Sequence, residues 1–175
     1  MTTPEPWLRG PIPGIASELQ PVAHALSQAR EDLPLAAGPL TLDELWVRPG
    51  GAASVGYHVR HLAGSLDRLF GYARGESLSR EQLAALRAEG EPGDPPADAA
   101  TLLAGAEDAI ARAVAQLAAT PPESLGDERL VGRAALPSTV RGLLFHAAEH
   151  TQRHVGQVIT TAKIVRGLRL GSPTA

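Results

Sequence analysis

The stretch DAATLLAGAEDAIARAVAQLAA, residues 98–119, decides the fold class. Leu102, Leu103, Ala106, Ile110, Val114 and Leu117 recur at helical spacing and make one apolar stripe. TPPESLG breaks the pattern at 120–126, and the acidic, Pro-rich EGEPGDPPADA before it reads as a surface loop. Three other segments carry the same signature. IASELQPVAHALSQAREDL (15–33) places Leu19, Val22, Ala23, Leu26, Ala29 and Leu33 on one face, with Pro21 suited to its first turn, and Pro34 with the AAGP that follows (36–39) predicted to end it. VGYHVRHLAGSLDRLFGYARG (55–75) is preceded by Ser54 as a cap and stopped by Gly75. The last helix is expected to start from a Ser138 cap and run to about Arg166.

Two short helices fill the connections, each with a capping box: Thr41 with Glu44, and Ser79 with Gln82. DERLVGRAALP, before the last helix, is too short for a helix and reads as an irregular crossover with room for a small hairpin. Only 3% of residues are aromatic and β-branched residues are scattered, so strand signals are weak. The expectation is an all-α, four-helix bundle with long crossover connections and short extra helices. Residues 1–175 are expected to form a single domain, with 1–14 as an extended N-terminal segment.

Composition excludes several function classes. The formal charge is −3, so the basic footprint of a nucleic-acid binder is missing. The chain has no cysteine, which removes disulfides, thiolate metal sites and thiol nucleophiles. Any metal must be held by histidine and carboxylate. No apolar run approaches the ~20 residues of a membrane span, and MTTPEPWLRGPIPG has no apolar signal-peptide core. Lys163 is the only lysine among many arginines. A soluble, cytoplasmic, bacterial protein with a small-molecule substrate is expected.

Three of the six histidines, His146, His150 and His154, stand four apart in GLLFHAAEHTQRHVGQV. Helical residues four apart are rotated by about 40°, so the three share a face, and Gln157 projects onto it. His150 and His154 have the spacing that lets two imidazoles reach one ion. Such a pair also marks polar seam residues, and the zincin motif is absent because Thr151, not Glu, follows His150. Bundle metal sites draw ligands from facing helices. YHVRHLAGS offers His58 and His61; His58 lies inside the stripe of Val55, Leu62, Leu66 and Leu69, and periodicity would choose it. No Glu-x-x-His pair supports a di-iron carboxylate centre.

RHLAGS together with HTQRHVGQ resembles the DinB-like (YfiT-like) superfamily of metal-binding four-helix bundles, which is distinct from the DNA polymerase of similar name. The resemblance implies His61, His150 and His154 as metal ligands. It leaves His58, His146, Gln157, Ser65 and His24 as outer-shell or cavity residues. It implies a divalent transition metal, Zn or Ni first and Fe, Co or Mn next, and a homodimer. The implied activity is a metal-dependent hydrolase with an open coordination position. The alternatives are a transferase or isomerase using a low-molecular-weight thiol such as bacillithiol or mycothiol, and a non-catalytic stress-related binding bundle. No motif supplies a general base.

Overall fold

Leu19, Val22, Ala23, Leu26, Ala29 and Leu33 are all buried, and the chain around them is helical, as their spacing requires. The structure is a computed structural model that describes residues 3–170, with side chains to residue 168. Helix α1 spans Gln20–Ala37, with Pro21 in its first turn. Helix α2, Leu42–Trp46, starts from the Thr41–Glu44 capping box. Helix α3, Val55–Ala73, is capped by Ser54 Oγ, which accepts from Tyr57 N, and Gly75 follows it at φ +84°. Helix α4, Arg80–Ala88, has the Ser79–Gln82 box. Helix α5, Ala99–Ala119, is capped by Asp98. A hairpin of β1, Glu128–Val131, and β2, Leu136–Thr139, leads into α6, Val140–Leu170.

Local signals misplaced some boundaries and one turn. Pro34 itself does not end α1, which stops at Ala37, within the AAGP that follows. The missing Pro N–H removes one helical bond, but the turn carrying Leu33 and Ala37 into the core continues, and Gly38 N closes it on the Pro34 carbonyl at 3.0 Å. Ser138 does not cap α6. It pairs with Arg129 across the hairpin, and Thr139 Oγ1 caps instead, accepting from Gly142 N at 3.0 Å. Helix α6 also runs past Arg166 to Leu170. Within the segment expected to be extended, Pro6–Leu8 form a 3-10 turn.

Helices α1 and α3 each pack against both α5 and α6, which puts them on one diagonal of the bundle and α5 and α6 on the other. Directions follow from cross-helix pairs. Gln152 Nε2 donates to the Ala25 carbonyl, and Asp32 and Ala36 share a groove with Ile159 and Lys163, so α1 and α6 are parallel. His58 meets His154 and His61 meets His150, so α3 and α6 are antiparallel. Arg30 pairs with Glu107, while Gly38 lies against Leu103, so α1 and α5 are antiparallel. Helices α3 and α5 therefore point the same way. A helix of 21 residues is about 30 Å long, and the chain must retrace that length between them. Residues 74–98, with α4 inside, make that return.

The return segment is tied down at its far end. Trp46 Nε1 donates to the Ala97 carbonyl at 2.9 Å, and the Arg60 guanidinium lies 4.8 Å above the Trp46 ring. Gly56 admits the indole, since a Cβ there would stand 2.9 Å from three of its atoms. Arg60 also donates to the carbonyls of Ala88, Glu91 and Pro92. Among the described residues no helix is long and apolar enough to cross a membrane.

Candidate metal centre

The buried stripe of α6 is centred on Thr151 and includes Ala147, Val155, Val158 and Ala162. Projected from Thr151, His154 lies about 60° round the helix, His150 about 100°, Gln157 about 120° and His146 about 140°. The histidine face is thus one shoulder of the stripe. His154 is buried, His150 is half-buried, and Gln157 and His146 are exposed. On α3, His58 is buried and His61 lies half-buried beside it.

His61, His150 and His154 each offer one ring nitrogen to a common centre, and these nitrogens lie within 4.8 Å of one another. His61 Nε2 and His150 Nε2 are 3.0 Å apart. Two imidazole nitrogens about 2.05 Å from a tetrahedral ion stand about 3.3 Å apart, so the spacing fits with small adjustment. His58 does not join the three. Its Nδ1 lies 3.0 Å from His154 Nδ1. Tyr57 stacks on His61 at 5.2 Å between ring centroids and 14° between planes.

Electrostatics favour neutral rings at His154, His150 and His58. Burial, then the neighbouring His61, His150, His58 and Arg153, pull His154 down to about 3. Burial first, then His61, lowers His150 and His58 as well. Neutral imidazoles are the ligating form, and the donor set suits a borderline transition ion. His150 Nδ1, on the same ring as the Nε2 that faces His61, is buried with no hydrogen-bond partner among the described residues.

The remaining sequence-derived residues separate. Ser65 Oγ lies 3.3 Å from His61 Nε2 and is buried. His146 sits at the rim, its Nδ1 2.7 Å from Glu149 Oε1 and its ring 5.5 Å from that of His150. Gln157 is at the surface, because its projection onto the histidine face is a projection onto the solvent side of that face. His24 is not in the cluster; its Nε2 is 3.0 Å from the Gly10 carbonyl, on the N-terminal segment. Outside that set, Glu149 bonds Arg153 and Asp67 accepts from Gln82, while the buried Arg68 has another partner.

That partner, Glu89, escaped sequence reasoning. It is 3% exposed, with Oε2 2.6 Å from His61 Nδ1 and Oε1 accepting from Arg68 Nη1 at 2.6 Å. The available signal was Arg68 itself: His61, Ser65 and Arg68 share a helical face, and an arginine there requires an acid.

Comparison with known proteins places these features. The chain is similar in structure to YfiT from Bacillus subtilis, described as a probable metal-dependent hydrolase with an unusual four-helix bundle topology. The match has 17% identity and a TM-score of 0.63, and covers 88% of this chain and 91% of that one, a likeness of fold. Among curated proteins none matches the sequence. Residues 25–158, from α1 well into α6, match the DinB superfamily, and the span includes all three clustered histidines. This chain belongs to the DinB superfamily.

Proposed function

We propose that the protein is a metal-dependent hydrolase in which His61, His150 and His154 hold a divalent transition metal, Zn or Ni. The observation that carries the reading is the convergence of three ring nitrogens, from two facing helices, within 4.8 Å. The description of YfiT as a probable metal-dependent hydrolase supports the reaction class.

An ion held by three imidazoles supplies Lewis acidity to a substrate carbonyl or phosphoryl oxygen and acidifies water. The chain does the rest. Burial keeps His150 and His154 neutral, so their lone pairs are available. His58 bonds His154 Nδ1 and limits the rotation of that ring. Tyr57 covers one face of His61 and limits its rotation.

The test is elemental analysis of protein purified without a histidine tag, followed by hydrolysis of an ester and amide panel. About one equivalent of a transition metal, lost in His61→Ala together with hydrolysis, is the expected result. Less than about half an equivalent would remove the site. Turnover that appears only with an added low-molecular-weight thiol would replace hydrolysis with thiol transfer.

A further inference from the structure

Glu89 lies just beyond the last residue of α4 and is nearly inaccessible to water. Carboxylates are rarely so buried unless paired, and desolvating both members of an ion pair is costly. Holding α4 against α3 needs only one of its oxygens, the one that Arg68 contacts. The other is spent on His61 Nδ1, the ring nitrogen on the far side from Nε2, which faces His150.

The face of α3 beneath Glu89 is shaped for it. A Cβ at Gly64 would stand 2.5 Å from Glu89 Oε1 and 2.7 Å from Arg68 Nη1, so glycine is what lets the pair lie against the helix. Arg68 Nη2 donates to Ser65 Oγ at 3.2 Å, which holds the guanidinium from its other side. Arg60 grips the carbonyls of Ala88, Glu91 and Pro92 on either side of Glu89.

We propose that Glu89 is the positioning residue of the metal centre: it accepts the Nδ1–H of His61 and so fixes that ring with Nε2 unprotonated and aimed at His150 and His154. This rests on the metal-site reading above. A ligating imidazole whose second nitrogen is held by a carboxylate has its tautomer and orientation set in advance, and loss of such a partner weakens metal binding about 10–100-fold.

The experiment is long-range proton–nitrogen NMR of the histidine rings in metal-free protein, with Co²⁺ and Zn²⁺ titrations. Wild type should show His61 protonated at Nδ1. In Glu89→Gln the amide oxygen goes to Arg68, which leaves its NH₂ facing His61 Nδ1 and favours the opposite tautomer. Metal affinity should fall about 10–100-fold, with no change in Glu107→Gln, which breaks a surface pair with Arg30. Should Glu89→Gln fail to fold, Gly64→Ala displaces the pair without removing a charge and should weaken binding in the same direction. An Nε2–H tautomer in wild type overturns the proposal. So does a Glu89→Gln protein that loses melting temperature while keeping tautomer and affinity. Failure of wild type to take up metal sinks the metal reading and this one with it, whereas normal uptake with unchanged variant affinity sinks this one alone.

Discussion

His154 is the residue whose chemistry departs furthest from its free value, and the departure has a sign. Its folded-state pKa is pulled down from 6.5 to about 3, chiefly by burial. Between those limits the unfolded chain binds a proton that the folded chain refuses. Stability of the metal-free protein should therefore fall as pH drops below about 6.5, by about 1.4 kcal/mol per pH unit for each such imidazole. His58 and His150 shift in the same direction and add to the slope. Urea unfolding in EDTA from pH 8 to pH 5 checks this above the range where carboxylates titrate. A flat midpoint across that range would mean that the three rings are more hydrated than their burial implies. His154→Gln should make the dependence shallower without abolishing it, because the amide does not titrate while His58 and His150 still do. The pattern was only half legible in the sequence. Spacing put three histidines on one face, but not how far that face is turned from the core. A rotation of about 40° per four residues separates the half-buried His150 from the exposed His146.

At the scale of elements, the helices that could be read were those with their own punctuation. Ser54, Thr41 with Glu44, and Ser79 with Gln82 cap as their motifs require, since a cap depends on residues three apart and little else. The failures came where tertiary packing outweighed a local rule, as when buried Leu33 and Ala37 carried α1 through Pro34. The return segment of residues 74–98 is the opposite case, a length of chain whose position is set almost wholly by distant groups. Arg60 and Trp46 hold it by its carbonyls, and nothing local marks those contacts. Arg60→Gln should therefore free residues 88–93 while leaving α3 and α6 protected. Native-state hydrogen exchange should show faster exchange confined to that segment. Uniform acceleration across the bundle would instead make Arg60 a global stability residue.

At the scale of the whole molecule, the parallel pair α3 and α5 decides both the connection and the site. A bundle of alternating directions would join these helices by a short loop and have no chain to lay across α3. The parallel arrangement requires a long return, and that return carries Glu89 to His61, 28 positions away in sequence. This is why the three clustered histidines could be reached from two motifs while the acid beside them could not. A metal held as proposed would also cross-link α3, which carries His61, to α6, which carries His150 and His154. A ligand that binds only the folded state stabilises it by RT ln(1 + [L]/Kd), about 4 kcal/mol at a thousandfold excess over Kd. For a chain of 175 residues each kcal/mol moves the melting temperature by about 2–4 °C, so saturating Zn²⁺ should raise it by about 8–16 °C. Chelation should reverse the rise. In His61→Ala the ion would retain ligands from α6 alone, a pair that the unfolded chain also offers, and the rise should shrink to a few degrees. An equal rise in His61→Ala would place the stabilising ion elsewhere and break the link between topology and site.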